Sequence, residues 1–211
     1  MRFNDARICY QNWNTCASCH QEDATIDSLN WDLINDGTGN PKSVKSLHNG
    51  ILTPPAMWAG VRLDQHAGVM AGQRFLGFLP DDHIQKALME FIGHPRRAPN
   101  PYRHEDVEAI ARGERVFHHA RCNACHIAPL FADMKTHDIG LTGHTSDVDF
   151  RSRFDTPSLL DCYRTAPYLH DGRALTLLEI FTEHNPENAH GLTGGLSVRE
   201  LNDLVAYLRS L

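Results

Sequence analysis

The chain contains no run of apolar residues approaching the roughly 18 that would span a membrane, and it carries no excess of positive charge. Its 20 Lys and Arg are outnumbered by 26 Asp and Glu, giving a net charge of −6, which argues against nucleic acid as a partner. Aromatic residues make up only 8% of the sequence, and the 41% hydrophobic content is ordinary for a soluble fold. The 211 residues allow one large domain or two small ones. The opening Met1-Arg2-Phe3-Asn4-Asp5 lacks the basic-then-apolar pattern of a secretory leader, so the chain is expected to be the mature or excised portion of a longer precursor.

Cysteine is sparse, and its placement is informative. Four of the six cysteines fall in two copies of Cys-x-x-Cys-His, Cys16-Ala17-Ser18-Cys19-His20 and Cys122-Asn123-Ala124-Cys125-His126, set 106 positions apart. Two thiols one helical turn apart can bond the two vinyl groups of a haem, and the adjacent His then lies beneath the iron. A zinc site would want a second ligand pair in each half, and a thioredoxin-type redox pair has no need of the His. The pattern predicts two covalently attached c-type haems, on Cys16, Cys19 and His20 and on Cys122, Cys125 and His126. Because covalent haem is normally attached outside the cytoplasm, a periplasmic or otherwise extracytoplasmic location is expected. The acidic surface suits a basic electron-transfer partner.

The order of parts repeats around these motifs. Phe3, Ala6, Tyr10 and Trp13 fall at helical spacing before the first, and Val107, Ile110, Ala111 and Phe117 before the second. Each half closes on a further helix: Ile84, Ala87, Leu88, Phe91 and Ile92 stop at Gly93, while Ser197 and Glu200 form a capping box ahead of Leu201, Leu204, Val205 and Leu208. The proline-rich Gly93 to Pro101 stretch reads as a linker, with the boundary near Arg97. The expectation is an all-α protein with two cytochrome c-like domains in tandem and little β structure: residues 1–95, a linker over 96–105, and residues 106–211. The middles repeat as well. Ser46-Leu47, Thr53-Pro54-Pro55 and Gly60 match Ser158-Leu159, Thr165-Ala166-Pro167 and Gly172 at identical offsets. That register sets Met57-Trp58-Ala59-Gly60 against Leu169-His170-Asp171-Gly172 and puts Trp58 in a loop by the domain interface, a core tryptophan being the alternative.

The stretches Phe154-Asp155-Thr156-Pro157-Ser158-Leu159 and Thr165-Ala166-Pro167-Tyr168-Leu169-His170-Asp171-Gly172-Arg173-Ala174, with Thr176-Leu177, resemble the C-terminal domain of the bacterial di-haem cytochrome c peroxidase and MauG superfamily. Leu29-Asn30-Trp31-Asp32-Leu33, Gly39-Asn40-Pro41-Lys42 and Thr53-Pro54-Pro55-Ala56-Met57 resemble a branch of it often fused behind a β-propeller. The resemblance implies haems facing a shared interface. It places the distal ligand of the C-terminal haem on the helix after Thr176, at His184, with His190 as the fallback; an iron held by His126 and His184 would be closed to substrate. For the N-terminal haem the resemblance calls for a loop His, yet none occurs between His20 and His48, and where the family's catalytic Glu is expected stands Phe78. The sixth position is therefore left to Met70, which fits the internal repeat best, to Met57, His66 or His48, or to substrate.

The resemblance further allows a calcium ion at Thr165 and Pro167, although the usual Asn is Ser43, and a propionate contact from Arg173, whose Asp171-Gly172 neighbours are equally good as a plain turn. Cys9 and Cys162 can pair or remain buried thiols. The histidines at 118–119 and 137–144 lack Cys or carboxylate partners in the pattern, and no metal is assigned to them. The leading expectation is a di-haem cytochrome that passes single electrons between two haems and outside partners, a small electron-transfer protein or a larger redox complex. The chain is read as one that can be fused to, or assembled with, a further domain. The alternative is a peroxidase-like or MauG-like oxidoreductase with an open N-terminal haem. A haem-based sensor or assembly module would need a domain beyond this chain.

Overall fold

Local capping chemistry sets where the helices begin. The computed structural model describes residues 2–21, 26–31, 42–78, 81–94, 98–141 and 153–211. Its helices are α1 (Cys16–Cys19), α2 (Gln65–Phe75), α3 (Asp82–Gly93), α4 (Val107–His119), α5 (Leu177–Thr182) and α6 (Val198–Ser210). Asp64, Asp81, Asp106, Thr176 and Ser197 each accept a hydrogen bond from a backbone N–H of the first turn that follows. Such caps contribute about 1 kcal/mol apiece. The expected Ser197–Glu200 capping box is formed.

The core of the C-terminal half lies where α4 crosses α6. A Cβ at Gly113 would stand 1.9 Å from the Asp203 carbonyl oxygen, so only glycine lets the two backbones approach this closely. Beside that crossing, Arg112 grips the Asp203 carboxylate with two bonds of 2.8 and 2.9 Å, and Phe117 meets the Tyr207 ring edge-on at 5.3 Å. Val116, Leu141, Ile180, Leu204 and Leu208 fill the space around them. The linker's far end docks on the same body: Asn100 Nδ2 donates to Arg209 O at 2.8 Å, and the Arg209 guanidinium stacks 3.6 Å over Tyr102. The boundary expected near Arg97 lies outside the described residues.

The N-terminal half has smaller cores. Phe3, Leu88 and Ile92 are buried together, with the Phe3 and Phe91 rings 4.7 Å apart. The helix expected through Phe3, Ala6, Tyr10 and Trp13 is instead three short 3-10 turns, Arg2–Asn4, Ala6–Ile8 and Tyr10–Asn12. Asp5 draws the Arg7 N–H to its own side chain, and the Tyr10 N–H donates across to Gly77 O at 2.9 Å, so the local i to i−4 ladder is not made. Tyr10 and Trp13 are left 66% and 58% exposed.

The two middles share one backbone design. Positive φ values recur at Asn49 and Asp161 (61° and 64°), Met57 and Leu169 (72° and 71°), and Gly60 and Gly172 (62° and 70°), each pair 112 positions apart. Isolated bridges join Ala56 to Arg62 and Tyr168 to Ala174 at the same offset, and the capping residues Asp64 and Thr176 keep it. The β structure described is slight. β1 (Asn30–Trp31) pairs antiparallel with β2 (Lys42–Ser43), and β3 (Thr136–Asp138) with β4 (Arg153–Asp155). β2 leans on the C-terminal half, where the Ser43 N–H donates to His170 O at 2.8 Å.

Candidate haem-binding site

Both Cys-x-x-Cys-His motifs fold into single tight turns that gather their three functional side chains. In the first, Thr15 and Ser18 cap α1 reciprocally, and the His20 N–H closes on Cys16 O at 2.9 Å. In the second, Arg121 at φ 61° ends α4 and starts a 3-10 turn, Cys122–Ala124, and the His126 N–H closes on Cys122 O at 3.0 Å. Burial pushes the Cys16, Cys19 and Cys122 thiols up to about 11. At neutral pH each therefore keeps the hydrogen that thioether formation adds across a vinyl group.

The C-terminal motif is matched by a second imidazole. His126 Nδ1–H donates to Phe131 O at 3.0 Å, which leaves the Nε2 lone pair free to bind a metal. Facing it is His190, with ring centroids 6.4 Å apart and planes inclined by 43°. His190 Nδ1 is buried with no hydrogen-bond partner among the described residues. Burial, and then the His126 ring, push the His190 pKa down to about 4, so the ring is neutral at physiological pH. Two imidazoles sharing one metal, with metal–nitrogen bonds of about 2 Å, have centroids roughly 6 Å apart. The residues present therefore fit an iron between them.

One buried side chain, Asn185, holds the His190 loop in place. Asn185 Nδ2 donates to His190 O (3.1 Å), Gly191 O (2.8 Å) and Thr193 Oγ1 (2.8 Å), while its Oδ1 accepts from the His190 N–H (2.8 Å). Gly191, at φ +85°, then turns the loop beneath the haem motif, and the Leu192 N–H donates to Ala120 O at 2.9 Å. His184, the ligand expected from the resemblance, stands just past α5 with its N–H on Glu179 O at 3.2 Å. The ring brought opposite His126 is that of the fallback, His190. The physical reason is the length of α5, which ends at Thr182 and leaves the facing position to a loop. The internal repeat gave no pointer to it, because 112 positions before His190 lies Phe78, which cannot ligate a metal.

Around the N-terminal motif, Met70 sits half-buried on α2. A Cβ on Gly68 of the same helix would stand 3.9 Å from Met57 Cε, and His66 is exposed. His48 is taken up by the seam between the halves, accepting at Nδ1 from Arg164 Nη2 at 3.1 Å and lying 3.6 Å from Asp161 Oδ2. Phe78 is buried beside Ile8 and Cys9 and presents no acid–base group. The loop around Asp36-Gly37 lies outside the described residues.

Trp58 belongs to the seam rather than to either core. It is half-buried, its Nε1–H donates to Ser43 O at 2.6 Å, and its carbonyl accepts from the Asp155 N–H of the C-terminal half at 2.7 Å. Arg173 is gripped by Asp171 through Nε at 2.8 and 2.9 Å and Nη2 at 2.7 Å. Between Thr165 and Pro167, the positions the resemblance allows for calcium, Ala166 O accepts from Ser28 Oγ of the other half at 2.9 Å. Cys9 and Cys162 are free thiols, donating to Leu76 O and Leu208 O at 3.1 Å each. Cys125, Asp133 and His137 bring their ligand atoms within 4.8 Å of one another. The His137–Asp133 pair closes on itself at 2.7 Å, and Cys125 is a haem-motif thiol, so no separate metal is assigned there. His144 lies outside the described residues.

Fold and motifs together define a helical, cytochrome c-like protein with the ligands of covalent haem. No family model matches the chain. It is 30% identical to hydrazine synthase subunit gamma of Kuenenia stuttgartiensis, over all of this chain and 75% of that protein. It is 27% identical to the methylamine utilization protein MauG of Methylophilus methylotrophus, over 99% of this chain and 79% of that one. The structure matches that of Kuenenia stuttgartiensis hydrazine synthase with a TM-score of 0.85 at 29% identity, covering 100% of this chain and 85% of that one. The chain belongs to the di-haem cytochrome c peroxidase and MauG superfamily. No described helix is long and apolar enough to cross a membrane.

Proposed function

We propose that this chain is a di-haem oxidoreductase of the peroxidase-like and MauG-like kind, in which one haem is closed and the other open. The observation that carries this reading is a contrast between the halves: His190 faces His126 in the C-terminal half, whereas the residue 112 positions earlier, Phe78, is packed beside Ile8 and Cys9 and cannot ligate a metal. Haem, when bound, supplies an iron that changes charge by one electron and, where a coordination site is free, holds a small ligand.

His126 and His190 would hold the C-terminal haem between them and leave its iron no free site for substrate. The Phe131 carbonyl fixes the His126 tautomer, and Asn185 fixes the His190 loop. His20 would hold the N-terminal haem from its motif. Phe78 brings no ligand and no proton donor of its own. Trp58 joins the two haem units, residues 1–95 and 106–211, and Arg173, aimed by Asp171, is offered to a haem propionate. The relatives are redox proteins, and the name of one of them is that of a subunit. A periplasmic or otherwise extracytoplasmic chain assembled with further redox subunits or met by a small electron-transfer protein follows from that likeness.

The deciding measurement is low-temperature electron paramagnetic resonance of the oxidised holoprotein with and without cyanide. One low-spin signal unmoved by cyanide, beside a high-spin signal converted by it, is expected. Two low-spin signals that ignore cyanide would instead mean that a protein ligand such as Met70 or Met57 joins His20, and make the chain a pure electron carrier.

A further inference from the structure

The seam holds an ion pair, its carboxylate buried and its lysine half-buried, that crosses between the halves. Lys45 Nζ pairs with Asp155 Oδ2. The same ammonium stands 5.5 Å from the centroid of the Trp58 ring. Asp155 is 2% exposed, its Oδ1 has no hydrogen-bond partner among the described residues, and its own N–H is bonded to the Trp58 carbonyl at 2.7 Å. Trp58, Lys45 and Asp155 are thus one unit, with a positive and a negative charge held beside a single indole.

The hydrogen bond at the indole nitrogen makes those charges matter. An indole that loses one electron becomes a cation, and it sheds the Nε1 proton only if a base stands ready. Here the acceptor at 2.6 Å is the Ser43 backbone carbonyl, which cannot take a proton. The positive charge therefore stays on the ring, where Lys45 repels it and Asp155 attracts it, and with the carboxylate buried and the lysine 25% exposed, water screens the two charges only in part. The attraction and repulsion oppose each other while the pair is intact.

We propose that the Lys45–Asp155 pair sets how readily Trp58 gives up an electron, the carboxylate offsetting the ammonium that stands beside the ring. The step moves one electron: Trp58 is oxidised, a one-electron acceptor is reduced, no bond breaks and the proton remains on Nε1. In the working protein that acceptor is an oxidised haem iron, and to that extent the proposal rests on the reading of Trp58 as the bridge between haem units. Lys45 and Asp155 act through Trp58 and are positioning residues.

The test is flash-quench photo-oxidation of the holoprotein by a ruthenium polypyridyl complex with a cobalt(III) quencher, following the tryptophan radical by its absorbance. Trp58→Phe serves as the blank for Trp13 and Trp31. Asp155→Asn leaves a bare ammonium at the ring and is expected to slow formation of the Trp58 radical about tenfold, whereas Lys45→Met leaves the carboxylate and is expected to speed it by a similar factor. Lys45→Arg should restore the wild-type rate. Opposite signs cannot come from simple loosening of the seam, which would move both variants the same way. Changes of the same sign, or no change in either variant, overturn the proposal. The bridge role is tested separately by freeze-quench paramagnetic resonance after hydrogen peroxide. A radical that persists in Trp58→Phe defeats the bridge and leaves the photochemical result on the ion pair standing.

Discussion

The two halves of this molecule are variations on one frame, and they differ where chemistry would be decided. Both carry a Cys-x-x-Cys-His turn, a middle with the same positive-φ positions 112 residues apart, and a capped helix after it. In the N-terminal half that helix, α2, runs for 11 residues, and the chain then buries Phe78. In the C-terminal half the corresponding α5 stops after 6 residues, and the chain uses the length saved to form a loop that lays His190 across from His126. The backbone design is thus shared by the two halves, while the length of the helix that follows it differs.

The sharpest way to break the comparison is to remove the ring that closes the C-terminal site. His190→Ala is expected to convert that haem from cyanide-insensitive to fully cyanide-binding and to abolish its low-spin signal. A low-spin signal that survives would assign the ligand to His184. The converse, Phe78→His, is expected to render the N-terminal haem low-spin and at least partly deaf to cyanide, which titration by absorbance would show.

A third change separates the halves by stability instead of ligation. Gly113→Ala drives a methyl into the Asp203 carbonyl at the α4–α6 crossing and is expected to cost about 3 kcal/mol. Urea unfolding should show that loss in the C-terminal half while the spectrum of the N-terminal haem persists to its usual denaturant concentration. Asn185→Ala, which strips four hydrogen bonds from the His190 loop, is expected to cost about 2 kcal/mol. It should also raise a high-spin fraction at the C-terminal haem. Asn185→Asp, which keeps the acceptor for the His190 N–H, is expected to fall between the two.

The smallest effect concerns pH. Hydrogen bonds from Arg112 hold the Asp203 carboxyl below the usual carboxylate range. A depressed carboxylate pKa contributes stability above the unfolded value of about 4, and that contribution is lost as pH falls through the folded value. The Arg112 side chain is 32% exposed, so solvent screening limits the contribution to about 1 kcal/mol or less. Urea midpoints of wild type and Arg112→Met should therefore differ slightly at neutral pH and converge in strong acid.

Much of the frame was legible beforehand because it is written in local chemistry. The Ser197–Glu200 box, the stop at Gly93 and the apolar stripe leading to the second motif depend on neighbours within a turn or two, and each appears where its residues predict. The opening segment failed that logic. Its helical spacing through Tyr10 and Trp13 is real, but the Asp5 side chain and the distant Gly77 carbonyl claim the N–H groups a helix would need. The fate of His48 was equally invisible, since its partner Arg164 lies 116 residues away.

By itself the sequence determined the motifs, the duplicated register and the membership of a redox superfamily, because covalent attachment and turn geometry require particular residue types at fixed short spacings. Only the tertiary structure decided that His190, and not His184, looks across at His126, that Asn185 holds it there, and that Lys45 and Asp155 meet beside Trp58. Those are distances between segments that share no spacing rule. They follow from how long one helix runs, and from which faces the two halves press together.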